Sequence, residues 1–112
     1  MATQTLYNRV TQAIIYSCEA ATLREAVEKA VAEGVSLSGA NLEGANLSGA
    51  DLYGADLYGA NLSGANLEGT IMEGANLSGA SLYRANLKWA NLSWADLTGA
   101  DLEGADLEGT IF

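Results

Sequence analysis

The sequence has no histidine, one cysteine among 112 residues, and five lysines and arginines against fourteen aspartates and glutamates. Without histidine the chain lacks the side chain most often used for proton transfer near neutral pH, and its one thiol, Cys18, has no such base to pair with. The clustered histidines and cysteines of a transition-metal site are absent for the same reason. A lone Cys18 closes no internal disulfide and suits a reducing cytoplasm. The N-terminus has no basic start followed by an apolar run of the kind that directs secretion. No apolar stretch is long enough to span a membrane. At net charge −9, direct contact with nucleic acid is not expected.

What is present is a repeat. From Leu37 a large apolar residue returns at every fifth position through Leu107, with Met72 the one non-leucine, and the series closes on Phe112. Two residues before each stands Ala, except at Val35, Thr70 and Thr110; between them stands Asn or Asp, except at Ser36, Ile71, Ser81 and Ile111. A free position follows, and then Gly. Neither a helix of 3.6 residues per turn nor an alternating strand holds a five-residue period on one face. A chain that turns a corner every five residues does, with Leu and the preceding Ala pointing inward. Four corners make a square coil.

The units "ANLSGANLEG" and "ADLYGADLYG" resemble the pentapeptide-repeat family, whose signature is A-(D/N)-L-x-x. The resemblance covers residues 35–112. It implies an all-β solenoid, a right-handed quadrilateral β-helix with four pentapeptides per coil, about four coils here. Stability is then close to a sum of coil and interface contributions. No cofactor or metal is implied. On a convex rod the carboxylates have no pocket to tune them, and a few Asp make at most a weak calcium site.

Residues 1–34 lie outside the period and are expected to form an N-terminal cap. Thr22 and Glu25 have capping-box spacing, while Leu23, Ala26, Val27, Ala30 and Val31 share one helical face and Gly34 supplies a stop. These predict a capping α-helix over 23–33, with Glu25 and Lys29 as an i,i+4 pair. The segment "LYNRVTQAIIYSC" fits two patterns. Its β-branched content and the alternation of Val10, Ile14, Tyr16 and Cys18 favour a strand, although Val10, Ala13, Ile14 and Ser17 also share a helical face. The strand reading is preferred.

Stacking makes residues twenty apart neighbours, so Asn46, Asn66 and Asn86 should form an amide ladder and Lys88 should lie between Glu68 and Glu108. No acid falls directly above another. The rod is acidic nonetheless, with ten acids against Arg84 and Lys88. Quinolone-resistance proteins of the family are thought to imitate DNA and occupy the DNA-binding saddle of gyrase. This chain is similar in repeat and sign, but shorter, and it lacks their loop insertions and terminal helix. Acidity also keeps an open-ended β rod soluble. The principal expectation is a non-enzymatic interaction or scaffold module with a protein partner; the alternative is a DNA-mimic inhibitor or protector of DNA gyrase or topoisomerase.

One stretch, "RANLKWANLSW" at 84–94, replaces the closing Gly three times running, by Arg84, Trp89 and Trp94. With Tyr83 these are residue types enriched at binding hot spots, which makes them, with Lys88 beside them, the candidate partner surface. An alternative is that Trp89 covers exposed backbone at Gly69 and Gly109. Bulky side chains at positive φ would be outliers, so the corners are not expected to need glycine's freedom. Ile111 and Phe112, at the last inward position, are the candidate end for a twofold dimer. The acids of the final coil oppose such pairing, so it should strengthen with salt.

Overall fold

The computed structural model describes residues 2–112. Its regular elements are strands β1 (Ala2–Tyr7) and β2 (Ile14–Ala20) and helix α1 (Leu23–Ala32). The two strands pair antiparallel, from Ala2 opposite Ala20 to Tyr7 opposite Ile14, with an irregularity between Leu6 and Tyr7. The segment read as one strand is therefore the turn and return of a hairpin, with Val10 in the turn. The cause is local. Asn8 Oδ1 accepts from the N–H groups of Val10 and Thr11 at 2.8 and 2.9 Å, an Asx turn that halts the strand, and Gln12 follows at φ +62°.

Helix α1 starts at Thr22, whose hydroxyl accepts from Glu25 N–H, while the Glu25 carboxylate reaches back to Ala21 N–H. That use of Glu25 replaces the expected pairing with Lys29; the helix ion pair is Arg24–Glu28 at 3.8 Å. The end is a Schellman motif: Gly34 N–H donates to Val31 O and Val35 N–H to Ala30 O, with Gly34 at φ +75°. The helix buries Ala26, Val27 and Ala30. Val27, Ala30 and Leu6 of β1 join one continuous core with Leu37 and the repeat leucines. Tyr16 of β2 donates to Glu33 at 2.9 Å. Burial first, then that bond to a carboxylate, push its phenol up to about 12.

The repeat region is a solenoid-like β-helix built from short bridges. Parallel bridges join residues twenty apart, from Asn41 with Asn61 to Asn91 with Ile111, so four pentapeptides bring the chain back onto itself. Leu62 N–H donates to Ser81 O at 2.7 Å, and Asn61 N–H to Ala40 O at 2.9 Å. Successive tiers are residues 35–54, 55–74, 75–94 and 95–112. Every inward Leu or Met from Leu37 to Leu92 is buried. In the last tier Leu97 and Leu102 are half-buried, Leu107 is 37% exposed and Phe112 63% exposed. Thr70 replaces an inward Ala without penalty, because its buried hydroxyl donates to Leu67 O at 2.8 Å.

Each corner is a type II turn. Ala40 N–H donates to Leu37 O at 3.0 Å, for example, with Gly39 in the third turn position at φ +72°, where positive φ is obligatory. Every Asn and Asp of the repeat, from Asn41 to Asp106, points its Oδ1 at the N–H two residues on, at 2.9 to 3.3 Å. That bond, which satisfies the turn's own donor, is what the position selects for. The amide ladder is thin by comparison: Asn86 Nδ2 reaches Asn66 Oδ1 at 3.5 Å and Glu68 at 3.3 Å. At Asp96, Thr98 holds the carboxyl below the usual range, through its hydroxyl first and its backbone N–H second.

Candidate interaction surface

Arg84, Trp89 and Trp94 occupy the third-turn position at three successive corners of the third tier, and they adopt the backbone of the glycines they replace. Their φ values are +56°, +62° and +61°, against +63° to +72° at the rod's glycine corners. The expectation that these corners do not need glycine's positive-φ freedom is thus corrected. The hydrogen-bonded stack above and below fixes the turn type, and the side chain must accept a left-handed conformation costing roughly 1–2 kcal/mol.

The Arg84 and Trp89 side chains lean toward the following tier. A Cβ at Gly109 would run into the Trp89 ring, and one at Gly104 would meet the Arg84 stem at 3.0 Å, whereas one at Gly69 or Gly64 would meet nothing within 4 Å. Trp89 therefore covers Gly109 but leaves Gly69 open, and it remains 61% exposed. Trp94 is 90% exposed. The Arg84 guanidinium lies 5.3 Å from the Tyr83 ring centroid, within cation–π range. Lys88 pairs with Asp106 at 3.5 Å, on the side preceding its own corner, rather than with Glu68 or Glu108.

Three successive corners, five residues apart in a twenty-residue period, do not share one side. Arg84, with Tyr83 and Lys88, is separated from Trp94 by the Trp89 corner, so the expected cluster divides in two. Trp89 and Trp94 flank the side that carries Asp51, Ile71, Asn91 and Ile111 in one bridged column. On it Ile71 is 43% and Ile111 56% exposed, both where the repeat places Asn or Asp. Sequence reasoning passed over Ile71, although its distance of two twenty-residue periods from Ile111 was available once four units per coil was accepted. Tyr53 is exposed on the same side. Among the described residues no group of three or more His, Cys, Asp or Glu is placed to hold a metal ion, and no helix is long and apolar enough to cross a membrane.

The family model for pentapeptide repeats matches residues 29–64, 60–99 and 75–112. No curated protein matches the sequence. Among solved structures, a pentapeptide repeat protein (Rfr23) from the cyanobacterium Cyanothece 51142 is 41% identical over 69% of this chain and 53% of its own, with a TM-score of 0.67. A pentapeptide repeat protein from the Arabidopsis thaliana thylakoid lumen is 33% identical over 67% of this chain and 56% of its own, TM-score 0.62. QnrB1, a plasmid-mediated fluoroquinolone resistance protein, is 29% identical over 67% of this chain, TM-score 0.60. This chain spans about half the length of the first two and 35% of the third. Repeat matches running from residue 29 to residue 112, and the bridges twenty residues apart, lead to one statement of kinship: the chain belongs to the pentapeptide repeat family.

Proposed function

We propose that residues 35–112 wind as a right-handed quadrilateral β-helix of nearly four coils, capped by residues 1–34, and serve as a non-enzymatic protein-interaction module in the cytoplasm. Trp89 and Trp94 are its main contact residues, with Tyr83, Arg84 and Lys88 beside them. The observation that carries this reading is the left-handed backbone at all three non-glycine corners. Strain of this kind persists where something else requires the side chain, and exposed Trp, Tyr and Arg are the types that anchor partners. Affinity capture from the native cell, with wild type and with the double variant Trp89→Gly, Trp94→Gly, tests it. A partner retained by wild type and lost by the folded variant is expected. Equal recovery overturns the reading.

A second reading, mimicry of DNA toward gyrase, is supported by the rod's ten acids against two bases and by the likeness to QnrB1. It predicts inhibition of gyrase supercoiling by folded protein. Absence of inhibition at micromolar concentration excludes it.

A further inference from the structure

The four sides of the rod are not equivalent. Most outward positions carry Asn, Asp, Ser or Glu, yet the side of residues 50–54, 70–74, 90–94 and 110–112 gathers Tyr53, Ile71 and Ile111, with Trp89 and Trp94 at its two edges, all exposed. Four of these five break the repeat, and each break is locally unfavourable. Ile71 and Ile111 have no oxygen for the Asx-turn bond that every Asn and Asp of the repeat makes. Trp89 and Trp94 hold left-handed backbone. Four departures, each giving up local stability, converge on one side of the molecule.

The charges on this side select what covers it. Asp51 and Glu73 lie on it, and Glu28 of α1 joins its upper end by accepting from Asp51 N–H at 2.9 Å. A shallow crevice lined by Glu28, Val31, Ala32, Asp51 and Tyr53 extends the surface onto the cap. At that upper end Arg24 pairs with Glu28 at 3.8 Å, whereas Lys88 is turned to Asp106 on the preceding side, so among the described residues no ion pair engages Asp51 or Glu73. The surface is thus apolar toward the third and fourth tiers and acidic toward the first. Two copies facing each other in parallel would set Asp51 and Glu73 against their like.

We infer that this side is a docking face for a basic amphipathic helix of a partner protein, with apolar side chains on Ile71, Ile111 and the two Trp rings and lysines or arginines against Asp51 and Glu73. Tiers spaced like paired strands lie about 4.8 Å apart, which separates Ile71 from Ile111 by about 10 Å. Helix positions seven apart share a face and are also about 10 Å apart. The inference rests on the interaction reading above and gives that reading an occupant.

The closing experiment uses variants that only restore the repeat's own residues, Ile71→Asn, Ile111→Asn, Trp89→Gly and Trp94→Gly together, so loss of fold is not the expected cause of any effect. The probe is a labelled helical peptide of about 18 residues with leucines seven apart and lysines at one end, compared with a scrambled peptide of the same composition. Wild type should bind the ordered peptide at least about tenfold more tightly, and the fourfold variant should show no preference while melting no lower than wild type. A Tyr58→Ser variant, altered on a different side, should keep the preference. A preference that survives in the fourfold variant, or none in wild type, overturns the inference. If wild type shows no preference and yet captures a cellular partner through Trp89 and Trp94, the helical occupant is wrong and the interaction reading stands; if neither is seen, both fall. Self-association on sedimentation that the fourfold variant abolishes would assign the face to a second copy and would likewise overturn it.

Discussion

In the cap each residue has an individual task, whereas in the rod each position has a task and the residues are interchangeable copies. Asn8 stops β1, Thr22 and Glu25 open α1, and Gly34 closes it; none of these has a substitute elsewhere. In the rod the same Leu, Ala, Asx turn and left-handed corner recur around every tier. Such redundancy makes a robust scaffold, but it also leaves the scaffold with no identity of its own. What distinguishes this rod from any other is carried by the positions that break its pattern.

The contrast predicts graded effects. Leu62 is fully buried in the second tier, and Leu62→Ala should cost about 2–5 kcal/mol; Leu107→Ala, at a position already 37% exposed, should cost less than half as much. Denaturant unfolding of both variants checks the difference, and equal losses would mean that the last tier is as well packed as the second. A smaller effect separates two glycines. Gly69→Ala and Gly109→Ala both place a side chain at positive φ, a strain of roughly 1–2 kcal/mol, but only Gly109→Ala meets the Trp89 ring. It should be the more destabilising, and adding Trp89→Gly should erase the difference. Smaller again is Thr22→Ala in the cap, which removes one cap bond and should cost about 1 kcal/mol, read as a lower melting temperature with unchanged far-ultraviolet dichroism.

Much of this was legible in the sequence, because a five-residue period and an i, i+3, i+4 helical face are local statements. Leu37 to Leu92 point inward and Leu23–Ala32 is helical for reasons that need only neighbouring residues. The hairpin was harder, since a strand preference continues through a turn unless Asn8 is weighed as a stop signal. The corner geometry was misread because side-chain preference was set against backbone demand: a tryptophan resists positive φ, but the hydrogen bonds fixing each turn come from residues 19 to 21 positions away. Spacing alone pairs Glu25 with Lys29, but the nearby cap N–H takes its carboxylate. The shared side of Ile71, Ile111, Trp89 and Trp94 emerges only when the chain is read modulo twenty, which turns four isolated irregularities into one surface.

The departures from the repeat are held against the fold's own preference. Trp94 tests it most directly, being 90% exposed at φ +61°, with little packing to lose. Equilibrium unfolding of Trp94→Gly should show a protein at least as stable as wild type, because glycine relieves a left-handed strain of roughly 1–2 kcal/mol and returns about 0.4–1 kcal/mol of it as unfolded-chain entropy. A variant less stable than wild type would contradict the account, because Trp94 would then be a structural residue of the rod.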